Sequence, residues 1–296
     1  MPDPLPAASD PVPAAPPKSR FEKVGAALPI ALTALATAFA GMSTGELQKA
    51  MYWRSYAAQD QARATSQWTL AGFKRDRSLT CQVAAAQLRA VAADPANPFA
   101  GAAPAGADPT AAAWLSGKGP PPAKLPEVAD EPLQQLLAAI QHRTPEAELV
   151  KQAGHVTAAG VNAAIDQAEK AVEELDQQWN PTIKAAADLA AGSGKSAAAA
   201  QAAGFDLERR RYRIEAGLNQ GVGYLYEARV RVSAAESDRH QGKSRQFFYA
   251  MLAAQVGATV SALALARQQK SILWAVAGGT GVVAVAIGAY VYLSEL

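Results

Sequence analysis

The sequence predicts an all-α integral membrane protein, with one transmembrane helix near the N-terminus, two near the C-terminus and a long, coiled-coil-like helical soluble domain between them. Three observations lead there. The 296-residue chain is half apolar but only 7% aromatic, and alanine supplies much of the apolar share. Alanine loses no side-chain entropy in a helix and is the best helix former, whereas the Val, Ile, Thr and Tyr mixture that favours strands is thin. Three stretches carry no charge over the roughly 20 residues that a spanning helix needs. Two further segments repeat apolar residues at alternating intervals of three and four.

Residues 1–23 open with Pro and Ala, cannot bury enough apolar surface to fold, and are expected to be disordered. Residues 24–42, VGAALPIALTALATAFAGM, form the first uncharged stretch. A cleaved signal peptide would use Lys18, Arg20 and Lys23 as its basic leader and Ala38-Phe39-Ala40 as its cleavage site. The long, proline-laden leader suits an uncleaved anchor better. Residues 43–93 lack proline and read as one long helix, with Ser43 or Thr44 as N-cap and Glu46 and Gln48 in its first turn.

Residues 94–132 carry DPANP, PAGADP and GPPP around one apolar cluster at Trp114. Proline removes backbone donors and blocks helix, so this segment is expected to be a flexible loop. Residues 133–246 are read as a helical hairpin or coiled-coil region, with helix returning at Glu131 and an interruption at Thr144-Pro145. Val161, Ile165, Ala168, Val172, Leu175 and Trp179 form its first heptad seam, closed by Asn180-Pro181. Leu207, Arg211, Ile214, Leu218, Gly221, Leu225, Ala228, Val232 and Ala235 form the second. The alternative is ordinary amphipathic packing in a bundle. No breaker stronger than Gly242 separates the second seam from the next apolar stretch, so that helix is expected to run on.

Residues 247–266 and 272–293 are the second and third uncharged stretches; a buried hairpin in a soluble core is the other reading of the pair. Small residues four apart let helix backbones approach in lipid. The expected packing faces are Thr33, Thr37 and Gly41 in the first span, and Ala253, Gly257 and Ser261 in the second. In the third they are Ala277 with Gly281 and Ala284 with Gly288.

One stretch invites an enzymatic reading. Leu189 to Ser196, LAAGSGKS, ends like a phosphate-binding loop, which needs G-x-x-x-x-G-K-[ST] between a buried strand and a helix. Leu189 stands where the first glycine belongs, and no strand-like run precedes it. A helix break at Gly192 and Gly194, with Ser193 or Ser196 capping the next helix, accounts for the same residues. His142, His155 and His240 lie far apart without metal-ligand spacing. Glu173, Glu174 and Asp176, and likewise Arg209-Arg210-Arg211, read as solvated faces. Cys81 is the lone cysteine. Catalytic, cofactor-binding and metal-binding residues are therefore none, and the protein is not read as an enzyme. A net charge of +2 without a basic, aromatic patch gives no reason to expect nucleic acid. Arg239, Lys243 and Arg245, just before a span, suit anionic lipid head groups.

Leu47 to Ser78, with Gln67-Trp68, Phe73 and Lys74, resembles the helix after the first span in the bacterial "domain of unknown function 4337" family. Tyr212 to Leu293 is similar to that family's long helix and membrane hairpin, through Arg239-His240, Phe247-Phe248, the Arg267-to-Lys270 turn and Leu273-Trp274. The resemblance covers about half the chain. It implies a bacterial membrane protein with three spans and a helical soluble part, and no known activity.

The expected function is that of a membrane-anchored structural or interaction protein, self-associating, with the lipid bilayer and further copies of itself as partners and no other protein partner specified. A channel or pore subunit is the alternative, and a nucleotide hydrolase at 189–196 is disfavoured. Lys18, Arg20, Lys23, Arg267 and Lys270 would share one side of a bacterial cell membrane. The positive-inside tendency makes that side cytoplasmic and the helical domain external, with Lys49, Arg54, Arg239, Lys243 and Arg245 opposing.

Overall fold

The computed structural model describes residues 20–92, 94, 96–101, 106–192, 197–267 and 272–293. The N-terminal segment expected to be disordered, and the turn carrying Lys270, lie largely outside the described residues. Among the described residues there are helices and no strands. They are α1 (Arg20–Val91), α2 (Pro109–Ala113), α3 (Glu131–Gln141), α4 (Glu146–Ala153), α5 (Ala158–Ala191), α6 (Ala197–Ala266) and α7 (Ile272–Leu293). Portions of α1, α6 and α7 are long and apolar enough to cross a membrane. The chain divides into two compact units, an apolar one (Met1–Lys49 with His240–Leu296) and a polar one (Ala50–Arg239), to both of which α1 and α6 contribute.

Three sequence expectations change. The helix expected to begin at Ser43 or Thr44 has no start there, because α1 is continuous from Arg20. Instead of capping, the Thr44 hydroxyl donates back to the Ala40 carbonyl at 2.9 Å. A break there would leave the last carbonyls of the apolar segment without donors. The helix expected to close at Asn180-Pro181 runs on to Ala191 with Pro181 inside it. Proline removes one backbone bond, but Trp179, Ala186 and Ala190 on the two sides of it bury in one cluster. The proline-rich segment 94–132 holds α2 and a π-type turn, Trp114–Lys118. Asp108 caps α2, accepting from the Thr110 and Ala111 amides. Phe99, Trp114 and Leu115 of this segment are buried against Trp179, Ala186, Ala200 and Leu207, with the Trp114 and Trp179 rings edge-to-face at 6.0 Å.

In the polar unit, Asp130 caps α3 and Thr157 caps α5. The main core joins Leu133, Leu136 and Ile140 of α3, Leu149 of α4, Val161 and Ile165 of α5, Val222, Leu225 and Val232 of α6, and Ala64 of α1. Within this unit α1 and α6 run antiparallel, as the pairs Asp60–Arg229, Lys74–Glu215 and Arg89–Asp206 show.

In the apolar unit, large side chains of one helix fill notches left by glycine on another. A Cβ on Gly288 would run into the Phe39 ring, one on Gly281 would lie 2.9 Å from Leu32, and one on Gly25 2.9 Å from Trp274. Phe39 also stacks on Phe247 at 6.3 Å. Ala277, Gly281, Ala284 and Gly288 all lie on the buried face of α7, and Gly257 and Ser261 on that of α6. Ala253 is only partly buried; its neighbour Ala254 is the fully buried residue. In the first segment Thr33, Thr37 and Gly41 are exposed, so the expected packing face is not the one that this segment buries within a single chain. Its buried face is Leu32, Ala36 and Phe39, while the two threonine hydroxyls bond the carbonyls four residues back. The glycines sit on the opposing helices, so this one presents bulk to fill them.

Candidate functional site

The most heavily constrained polar site lies in the polar unit, where α1, α5 and α6 meet. α6 carries the second heptad seam, in which Leu207, Leu218, Leu225, Ala228 and Val232 are buried and Ile214 is half-buried. A second set on the same helix, Glu215, Asn219, Val222, Tyr226, Arg229 and Ser233, is equally buried and also alternates four and three. This seam is polar. Counting apolar residues alone passes over it, and that is why its members escape notice in the sequence.

Arg229 is its centre. Its Nε donates to Asp60 Oδ2 at 2.7 Å and its Nη2 to Asp60 Oδ1, a two-pronged guanidinium–carboxylate pair. The side chains are only 6% and 1% exposed, so the pair is withdrawn from water. Arg229 Nη1 donates to Asn162 Oδ1 of α5 at 3.1 Å. The guanidinium also lies 5.2 Å from the Tyr56 ring centroid and 4.9 Å from that of Tyr226. Such contacts contribute about 0.5–2 kcal/mol each. Burial works against the charge on Arg229, but the Asp60 hydrogen bonds and its charge outweigh it and raise the pKa.

Tyr226 extends the network. Its hydroxyl donates to Glu169 Oε1 of α5 at 2.5 Å. Burial first, then this bond and the Glu169 charge, push the phenol up to about 12, against the pull of Arg63 and Arg229. The phenol is therefore a neutral donor. The node ties α1, α5 and α6 together through buried, charge-assisted hydrogen bonds.

The apolar unit holds a second polar cluster. Ser43 Oγ donates to the Ser244 carbonyl at 3.0 Å, and Ser244 Oγ to the Ser43 carbonyl at 2.9 Å. One turn on, Glu46 Oε2 meets His240 Nδ1 at 2.6 Å and Oε1 accepts from Lys49 Nζ at 2.7 Å. Burial alone would raise the Glu46 pKa; the Lys49 and His240 hydrogen bonds hold it lowered.

The residues singled out in the sequence are placed as follows. In the first seam Val161, Ile165, Ala168 and Trp179 are buried and Val172 and Leu175 half-buried. Leu189 is helical and Gly192 ends α5 in right-handed backbone, so a helix stands where a phosphate loop needs a strand. The rest of that motif, Ser193 to Ser196, lies outside the described residues. The Arg209-Arg210-Arg211 run is not a free solvated face. Arg211 pairs with Glu215 and with Asn180 Oδ1, Arg210 donates to the Gly119 carbonyl, and Arg209 approaches Asp206. Cys81 is buried, its Sγ 3.6 Å from Glu208 Oε2, and burial followed by the Glu208 charge pushes the thiol up to about 11. Trp68 packs edge-to-face on Tyr224 at 4.8 Å, whereas Phe73 is 62% exposed. Among the described residues no three His, Cys, Asp or Glu side chains form a metal-binding group. No protein-family model matches the chain, and neither a curated protein nor a solved structure matches it.

Proposed function

We propose that the protein is a membrane-anchored helical scaffold that associates with further copies of itself, and that it catalyses no reaction. The supporting observation is where its large apolar side chains remain uncovered. In the apolar unit Ile30, Val256, Leu263, Val282, Val283 and Val285 are each at least half exposed, as lipid-facing residues would be. In the polar unit the exposed apolar residues gather on α1: Met51, Tyr52, Phe73, Leu79 and Val83 are each 57–62% exposed. Exposed apolar surface concentrated on one element marks an interaction face. The three-span bacterial arrangement is also what the resemblance to the domain of unknown function 4337 family implies.

The test is extraction and mass. After carbonate washing of membranes the chain should stay in the pellet, and in mild detergent its mass should be a multiple of the 30.7 kDa chain. Phe73→Glu with Val83→Glu changes exposed positions only and should yield monomers that keep the parent helicity. A monodisperse chain in detergent-free supernatant would overturn the membrane part, and a monomeric parent the self-association.

A further inference from the structure

We propose that the cleft between α1, α5 and α6 binds a linear polyamine, a polycation whose ammonium groups meet a row of carboxylates on α5. The cleft lies in the polar unit and encloses about 460 Å³. Its lining includes Glu169, Glu173 and Asp176 and no Lys or Arg. The guanidinium groups around it are engaged elsewhere: Arg211 by Glu215 and Asn180 Oδ1, and Arg229 by Asp60, while Arg63 lies over the Tyr226 ring. Val172 and Val222 supply an apolar floor on which methylenes can lie.

Carboxylates alone would be a solvated helix face. Asn219 makes the difference. It is 5% exposed, lines the cleft from α6, and its side chain makes no hydrogen bond to any described residue. The rest of the residue is buried and its amide is left open to the cleft, where a bound ammonium can donate to its oxygen in place of water.

Spacing selects the ligand. The acidic residues stand at i, i+4 and i+7 on α5. At about 1.5 Å per residue their axial separations are about 6 Å and about 4.5 Å. Four- and three-carbon spacers between amines, with bonds of about 1.5 Å, span about 6 Å and about 5 Å. The three carboxylates do not converge on one point, which suits an extended polycation rather than a single metal ion. Glu169 Oε1 is taken by the Tyr226 hydroxyl and Glu173 Oε1 by Gln177 Nε2, while Asp176 has no hydrogen bond or ion pair among the described residues.

The experiment is equilibrium dialysis of labelled spermidine against the full-length chain in a zwitterionic detergent. The expected result is saturable binding of one spermidine per chain at near-physiological salt. Glu173→Gln with Asp176→Asn should weaken it by about tenfold or more, equivalent to about 1.4 kcal/mol. Asn219→Leu should weaken it as well, and Glu174→Gln, outside the cleft lining, should not. Glu173 is exposed and Asp176 only half-buried, so the double variant should keep its helicity even if the Asn219 variant does not fold. Absence of saturable uptake at millimolar spermidine would overturn the proposal. So would equal loss in the Glu174 control, or displacement by magnesium beyond that by sodium at the same ionic strength.

Discussion

Removing one partner of the Asp60–Arg229 pair should cost far more than removing both. With Arg229 replaced by Met, Asp60 keeps no hydrogen-bond or ion-pair partner among the described residues and remains sealed in the core. Breaking a buried ion pair costs about 3–5 kcal/mol, and Arg229→Met should fall at the upper end, about 4–5 kcal/mol. The reverse change, Asp60→Leu, leaves the guanidinium with Asn162 and two tyrosine rings. Those rings return about 0.5–2 kcal/mol each, so the cost should be nearer about 3 kcal/mol. The double variant buries two apolar groups of similar bulk and should lie within about 1 kcal/mol of the parent. Urea unfolding in detergent, followed by far-ultraviolet circular dichroism, gives the four corners of the cycle. Their coupling energy should then be about 7 kcal/mol in magnitude. Additive single effects, or single losses below about 1 kcal/mol, would refute the view that this pair is desolvated and sets helix register.

Three further outcomes follow from the same geometry. The lowered Glu46 pKa means that its stabilising contribution is present above the ordinary value of 4.5 and is lost as pH falls through the lower folded value. Thermal melts should therefore show an acid-side loss of stability that Glu46→Gln reduces. Gly288→Leu should drive a side chain into Phe39 and destabilise the apolar unit by about 1–3 kcal/mol, whereas Thr37→Leu, on the exposed face, should be tolerated in a thermal melt in detergent. The Cys81 thiol, buried and raised to about 11, should react slowly with maleimide in the folded chain. A cysteine at the 57% exposed Val83, in a Cys81→Ser background, should react fast, and labelling it in intact cells with an impermeant reagent reports the side of the membrane.

How much was legible depended on what kind of contact each residue makes. Val161, Ile165, Ala168 and Trp179 could be read from spacing, because apolar residues on one helical face have one favourable destination. The glycine faces of α7 were legible for the same reason, since small residues four apart admit a close neighbour. In the first apolar segment an uncharged helix carries no mark of which side packs within the chain. Only the positions of Gly281 and Gly288 opposite Leu32 and Phe39 decide it. Pro181 was read as a stop because local propensity says so, yet burial of Trp179, Ala186 and Ala190 around it outweighs one missing hydrogen bond.

By itself the sequence determined the helical class and the placing of the three uncharged segments. Alanine content and the lack of charge are local properties that need no partner. The tertiary structure alone decided which polar residues are structural. Nothing near Asp60 in the chain distinguishes it from Asp76, and nothing near Arg229 from Arg213. What separates them is withdrawal from water opposite a complementary charge, and that exists only once residues 169 positions apart are brought together.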